Sequence, residues 1–383
     1  MQRPKRVDVL FVSTELAVGG AEHQVEELAV RLASRGWAVA IVSLKTPRRA
    51  PDRLEAAGIW TEHLGLDRAM RLPSAFVGLR RLVGRLRPGV VHSHMIHANL
   101  LARLARIWSG SKRPLISTSH SDGEEGKARL VAMRLTDRLS TVTTHVSRTV
   151  LDRYVDAGVV SRERAMWVPN GVDLDRFRRS EPARNRVREE LGLDADTFTW
   201  LAVGTLRALK RHDLLLRAFE GLGGEPCLVV AGDGDERPRL EALVAASPAG
   251  GRISLLGLRD DPEALMSAAD GSVLCSDSEA LPLVLAEAAG CELPVVATDV
   301  GGCREMIVDG VSGQLVDAGD PAALTLAMAS VMHRSGGDRA AMGRAGRELM
   351  LERFEIDDVV DRWENLYGSL GVARPTNGPT DTR

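Results

Sequence analysis

Aromatic side chains are scarce in this chain, with 6 Trp, 2 Tyr and 6 Phe among 383 residues. That is too few for the stacking platforms of proteins that read bases, so no nucleic-acid partner is expected. Long apolar runs are missing too. The best stretch, Leu281 to Thr298, is broken by Glu287, Glu292 and two prolines, so it does not read as a membrane span. Cysteine is limited to Cys227, Cys275, Cys291 and Cys303, with no C-x-x-C spacing and with apolar or glycine-rich neighbours. These read as reduced, buried thiols of a cytoplasmic protein. The basic N-terminus is followed only by Val7–Val12, a short run containing Asp8, and this reads as a first strand and not as a signal peptide. Lysine is rare as well: five of the 50 basic residues are lysines, so a lysine at a motif position is informative.

What is present describes a globular enzyme-sized chain. Its 44% hydrophobic and 27% charged residues exclude a disordered polymer, and its length suits two or three domains. The net charge of −2 conceals an asymmetry. Residues 1–177 carry 28 Lys+Arg against 18 Asp+Glu, a balance of +10, and residues 178–383 carry 22 against 34, a balance of −12. Opposite fields suggest two domains with different partners, the basic one meeting something anionic.

Short β-rich runs alternate with amphipathic helical patterns from end to end. Strands are expected at Val7–Val12, Ala38–Leu44, Val90–His92 and Leu115–Thr118, then at Thr199–Val203, Cys227–Ala231, Ser272–Cys275 and Pro294–Ala297. The alternation predicts an α/β protein: two doubly wound, Rossmann-like domains with parallel sheets, facing a central cleft where ligands bind. The expected division is 1–177, 178–353, a final helix over 354–370 and a disordered tail over 371–383. The linker falls at the Pro169–Gly171 turn and the charged stretch Asp173–Arg188.

Three segments carry chemistry. In the first βα turn, Gly19-Gly20-Ala21-Glu22 opens a helix and lets backbone amides approach an anion, or simply satisfies a tight turn. After the strand at Thr199–Val203, Gly204-Thr205-Leu206-Arg207-Ala208-Leu209-Lys210 sets Lys210 and an arginine above the sheet. Such a cluster suits a departing diphosphate, or a solvated helix start. Third, Ser278-Glu279-Ala280-Leu281-Pro282-Leu283-Val284-Leu285-Ala286-Glu287 holds two carboxylates in an E-x7-E arrangement. Pro282 suits the first helical turn, and the free amides near Leu283 and Val284 suit phosphate oxygens. A helical glutamate in an apolar run needs a partner, either ribose hydroxyls or an arginine.

Together with Val90-Val91-His92-Ser93-His94, Thr118-Ser119-His120, Val168-Pro169-Asn170-Gly171-Val172-Asp173, Ala231-Gly232-Asp233-Gly234, Leu293-Pro294-Val295-Val296-Ala297-Thr298 and Gly301-Gly302-Cys303-Arg304-Glu305, these segments resemble the retaining GT-B glycosyltransferases of family 4, the "glycosyl transferases group 1". The resemblance covers nearly the whole chain. It implies transfer of a sugar from a nucleoside diphosphate sugar to an acceptor hydroxyl on a glycan, a lipid-linked intermediate or a small molecule, with no cofactor beyond that co-substrate. By the same resemblance Lys210 is the donor-phosphate lysine, Glu287 holds the nucleotide ribose and Glu279 lies near the transferred sugar. The amides of Leu283 and Val284 meet the diphosphate, and Gly20 and His120 face the reaction from the N-terminal domain. Catalysis is thus assigned to His120, Lys210 and Glu279, with donor binding by Gly20, Arg207, Lys210, Leu283, Val284 and Glu287. The sequence departs from the family at Thr205, where an arginine is usual and for which Arg207 is the substitute, and at Ala280, where the family has glycine.

Other clusters have competing readings. His92, His94 and His97 could bind a metal, but they lack carboxylate partners, so strand-end packing near the acceptor is the better account. Asp233-Gly234-Asp235 and Asp173-Leu174-Asp175 spell D-x-D, yet lie in turn contexts, and metal independence is expected. Pro73–Pro88 intersperses Arg80, Arg81, Arg85 and Arg87 with apolar residues. It is either an ordinary outer helix or a surface that meets anionic lipid at the inner face of the cell membrane. The alternatives to a transferase are an epimerase or phosphorylase of the same fold and, because of Thr205, a non-catalytic nucleotide-sugar-binding partner.

Overall fold

The computed structural model describes residues 4, 6–16, 19–47, 52–68, 71–109, 113–122 and 126–373. The chain forms two compact units, one of residues 1–171 with 357–383 and one of residues 172–356. In the first unit seven strands are β1 Val9–Ser13, β2 Val39–Ser43, β3 Trp60–His63, β4 Val90–His94, β5 Leu115–Ser119, β6 Val142–His145 and β7 Ala165–Trp167. They pair in parallel in the order β3-β2-β1-β4-β5-β6-β7. The second unit contains β8 Thr199–Val203, β9 Cys227–Ala231, β10 Ile253–Gly257, β11 Gly271–Leu274, β12 Val295–Thr298 and β13 Gly313–Val316. Their order is β10-β9-β8-β11-β12-β13, again all parallel.

The strand sequences explain this layering. VLFVS and VAIVS are buried at every position, as strands must be when helices cover both faces of a parallel sheet. The helix Leu72–Leu86 turns Ala75, Leu79, Leu82 and Leu86 into the core of the first sheet. Its arginines Arg80, Arg81 and Arg85 lie exposed on the other side. In the second unit, Leu214, Leu215, Ala218 and Phe219 of the helix His212–Glu220 pack on Trp200, Leu228 and Val230.

The stretch read as a linker is structured. Residues Glu181–Glu190 form a helix capped by Ser180, and Arg184 and Arg188 donate to backbone carbonyls of the second unit. Arg188 is 4% exposed and donates to the Ala268 carbonyl at 2.9 Å, while Arg184 reaches Asp270 at 2.8 Å. Its high charge serves backbone carbonyls and two aspartates, Asp270 and, through Arg186 at 3.2 Å, Asp261, and this is why charge alone misreads it. The change of unit falls at Gly171–Val172, earlier than residue 177. The Val172 amide donates to the Phe354 carbonyl at 2.8 Å, and the Ile356 amide returns to the Val172 carbonyl at 3.0 Å. The chain therefore enters and leaves the second unit at one point.

The last helix, Ile356–Ser369, continues into the first unit. Trp363 and Tyr367 are buried there, Trp37 Nε1 donates to Glu364 at 2.6 Å, and Arg31 and Arg35 meet Asp357 at 2.9 and 2.8 Å. Most of the tail expected to be disordered, from residue 374 on, lies outside the described residues. Among the described residues, no helix is long and apolar enough to cross a membrane.

Candidate active site

Each sheet reverses its winding at one place, between β1 and β4 in the first unit and between β8 and β11 in the second. Parallel sheets bind ligands outside the carboxyl ends of the strands at such a point, because the flanking loops diverge there. The loops after β8 and β11 are the ones that carry Lys210 and Glu279.

Backbone contacts clamp those two loops together. The Asp277 amide donates to the Leu209 carbonyl at 2.9 Å, and Cys275 Sγ lies 3.3 and 3.1 Å from the carbonyls of Lys210 and Arg211. Arg211, at φ +50°, turns its guanidinium to Asp277 at 2.9 Å. The consequence is a direct ion pair, with Lys210 Nζ 2.5 Å from Glu279 Oε1. Both side chains are largely shielded, at 23% and 11% exposure. Ser276 Oγ donates to the same oxygen at 2.6 Å. Glycine is needed beneath this pair. Gly301 sits at φ +52°, and a Cβ there would lie 1.5 Å from the Glu279 carbonyl oxygen. Gly232 has a matching role under the other loop, where a Cβ would lie 1.8 Å from the Gly204 carbonyl oxygen.

The E-x7-E segment forms the helix Leu283–Gly290, with Pro282 immediately before it and not inside its first turn. No side chain caps this helix, and the amides of Leu283 and Val284 have no acceptor among the described residues. Glu287 is half-buried on the second turn and makes no hydrogen bond or ion pair among them. Arg176, the cation nearest in effect, is engaged by Glu263 at 2.9 Å. The arginine bridge that would have satisfied Glu287 is therefore absent, and burial pushes its carboxyl up to about 7, with the Arg176 charge opposing and the Glu263 charge adding to the rise. Arg207 and Thr205 share the loop of Lys210; Arg207 is exposed and without an ion-pair partner among the described residues.

In the first unit, His120 follows β5 and His94 ends β4, and their rings meet through His94 Nδ1 and His120 Nε2 at 3.0 Å. His92 packs on His94 with centroids 4.1 Å apart and the ring planes tilted by 34°. It is held by Tyr367 OH at 2.8 Å and by Thr118 Oγ1 at 2.7 Å. Desolvation drives all three imidazoles toward neutrality, His120 down to about 3. These are hydrogen-bonding rings, not cations. Three described His, Cys, Asp or Glu side chains nowhere gather in a way that could hold a metal ion. His97 is exposed and not among these ring contacts. Of the two D-x-D segments, Asp173 closes a turn on the amides of Asp175 and Arg176 at 3.1 and 2.9 Å, and the Asp233 carbonyl accepts from the Leu206 amide at 3.0 Å. Gly20 opens the helix Gly20–Ser34 after an extended Gly19, exposed and without a side-chain cap.

Sequence reasoning missed Ser276 and Tyr367. Ser276 stands three residues before Glu279 in a loop with no periodicity, and nothing local distinguishes it from Ser278. Tyr367 is one of two tyrosines, and that rarity was the available signal.

Two doubly wound units, one with a lysine–carboxylate pair and uncapped amides at its switch point, have the construction of a two-domain α/β transferase. Comparison makes this specific. Residues 18–176 match the family model "Glycosyltransferase Family 4" and residues 183–349 match "Glycosyl transferases group 1". The chain is 33% identical to the D-inositol 3-phosphate glycosyltransferase of Geodermatophilus obscurus, over 97% of this chain and 89% of that protein. It is 30% identical to the protein of that name from Xylanimonas cellulosilytica, over 93% of each. Among solved structures, Anabaena HepE in complex with UDP-glucose superposes with a TM-score of 0.85 at 21% identity, covering 95% of this chain and all of that one. The sucrose-phosphate synthase of Thermosynechococcus elongatus gives 0.83 at 22%, covering 95% and 99%. The chain belongs to the glycosyl transferases group 1, family 4, and has the GT-B fold; it is a glycosyltransferase.

Proposed function

We propose that this protein transfers a sugar, with retention of anomeric configuration, from a nucleoside diphosphate sugar to an acceptor hydroxyl, as a step of glycan, glycolipid or glycoside biosynthesis. The observation that carries the donor reading is Glu287, one helix turn from the amides of Leu283 and Val284, all three without a partner among the described residues, with Lys210 in the adjoining loop. Ribose hydroxyls donate to the carboxylate, and phosphate oxygens accept from the amides. The UDP-glucose in complex with HepE is a ligand of that kind.

In the reaction the bond between the anomeric carbon and the leaving phosphate oxygen breaks while the acceptor oxygen bonds to the same face. The acceptor's proton passes to the departing phosphate oxygen. Lys210 and the helix amides stabilise the charge that develops on the diphosphate, the largest single contribution such a site can make. His120, neutral at physiological pH, offers a hydrogen bond to the donor sugar and carries no charge into the reaction. The relatives named D-inositol 3-phosphate glycosyltransferases point to a small, hydroxyl-rich anionic acceptor, in keeping with the basic N-terminal half. No metal takes part in this scheme. We also propose that the exposed arginines of the helix Leu72–Leu86 meet an anionic lipid surface.

The test is a panel of nucleoside diphosphate sugars scored by release of free nucleotide, with the product's anomeric configuration read by NMR, in EDTA and with added Mn²⁺. Turnover in chelator with retention is expected. Inversion overturns the mechanism, and activity only with metal overturns the metal-free scheme. Tight sugar-nucleotide binding without turnover on any acceptor supports a binding partner instead.

A further inference from the structure

Glu279 is not a symmetric carboxylate in this protein. Its Oε1 accepts from both Lys210 Nζ, at 2.5 Å, and Ser276 Oγ, at 2.6 Å, whereas Oε2 accepts no hydrogen bond among the described residues. Ser276 is fully buried, and its own carbonyl is held by Thr298 Oγ1 at 2.6 Å, which ties it to the adjoining strand β12. Under the same glutamate, the Gly302 amide donates to the Ala280 carbonyl at 2.9 Å and Gly301 allows the Glu279 carbonyl to approach. The backbone of Glu279 is therefore fixed from one side and one carboxylate oxygen from another. What remains free is a single oxygen atom.

We propose that Ser276 is a positioning residue that divides the two oxygens of Glu279. It commits Oε1 to the internal contact with Lys210 and leaves Oε2 as a one-point acceptor for a hydroxyl of the donor sugar. The physical reason lies in what Lys210 does otherwise. A lysine ammonium is a point charge with three donors, and nothing in its geometry prevents a lone carboxylate from rotating both oxygens toward it. A second, neutral donor on Oε1 stops that rotation. With Ser276 in place, the carboxylate plane is set and Oε2 is held away from the lysine. The site then reads one sugar hydroxyl with a charged acceptor, an interaction that strongly rejects a sugar lacking that hydroxyl.

The inference rests on the proposed donor reading, and its test separates the two. Thermal shift titrations use UDP-glucose, GDP-mannose, and the parent diphosphates UDP and GDP, on wild type, Ser276→Ala, Ser276→Cys and Ser276→Thr. Steady-state kinetics run on the preferred donor. Ser276→Ala and the near-isosteric Ser276→Cys are expected to bind the free diphosphate within about twofold of wild type. The sugar nucleotide should lose about tenfold in affinity relative to its diphosphate, and kcat should fall by a similar factor or more. Ser276→Thr, which keeps the hydroxyl, restores most of the loss. Equal weakening of diphosphate and sugar nucleotide in Ser276→Ala overturns the proposal, since a loop-packing role alone does that. An unchanged ratio and kcat in Ser276→Ala and Ser276→Cys overturn it too. If wild type binds none of the four ligands, the donor reading itself falls and takes this inference with it.

Discussion

Glu287→Gln is the most informative single change. In the folded protein burial raises the carboxyl of Glu287 to about 7 from an ordinary 4.5. In the unfolded chain it returns to the ordinary value. Below pH 4.5 both states hold the proton and the residue costs nothing. Between pH 4.5 and 7 the unfolded chain releases it first, so stability falls as pH rises; above about 7 the full penalty stands. A shift of that size is worth at most about 3 kcal/mol, and solvent reaching the half-buried carboxylate lowers it to roughly 1–3 kcal/mol. Glutamine removes the penalty while keeping the volume. Without ligand, Glu287→Gln should therefore match wild type near pH 4 and exceed it at pH 8 by about 2–12 °C in Tm, at 2–4 °C per kcal/mol for a unit of this size. Nucleotide binding should move the opposite way. On the proposed donor reading the ionised carboxylate accepts from the ribose, so wild-type affinity should tighten from pH 6 to 8, while the variant binds about tenfold or more weakly at pH 8 with a flat pH profile. The assay is differential scanning fluorimetry across pH, with and without UDP or GDP. A Tm difference that is the same at pH 5 and pH 8 would refute the reasoning, because it would show that Glu287 titrates alike in both states.

Four further outcomes follow from the structure. Lys210→Ala should cut turnover by two orders of magnitude or more, the scale of about 3 kcal/mol for one preorganised charge on a leaving group, and stopped nucleotide-release assays measure it. Arg207→Ala should approach that damage if Arg207 replaces the arginine that Thr205 displaces; an inert Arg207→Ala assigns the donor charge to Lys210 alone. Gly301→Ala should lower Tm and abolish donor binding together, because the new Cβ collides with the Glu279 carbonyl at a positive φ and the loop must move; a variant with normal nucleotide titrations contradicts this. Reversing Arg80, Arg81 and Arg85 to Glu should release the protein from anionic vesicles in flotation assays without changing nucleotide binding, each basic residue contributing on the order of 1 kcal/mol. Failure of wild type to float at low salt would leave Leu72–Leu86 as an ordinary outer helix.

The alternation of apolar runs and amphipathic stretches was enough to place most strands within a residue or two, because a strand buried on both faces must be apolar throughout, and such runs are short and legible. Cys227–Ala231 and Thr199–Val203 were read to the residue. Lys210 and the two glutamates stood out for a related reason: a charged group that follows or interrupts an apolar run, in a chain nearly without lysine, requires a purpose. Elements whose signal is weak locally escaped. β7 is three residues long, and the helix Glu181–Glu190 is so charged that its carbonyl partners, several of them 80 or more residues away, are what reveal why it folds. The chemistry of the site belonged to tertiary structure alone. Lys210 and Glu279 are 69 residues apart, and they meet because β8 and β11 are neighbours at the sheet's reversal, a strand order that no local pattern encodes. The sequence determined which charged residues need a partner. The fold decided that Glu279 has two donors on one oxygen, that Glu287 has none among the described residues, and that the histidines at the ends of β4 and β5 stay neutral, since partners and desolvation arise only when distant loops pack.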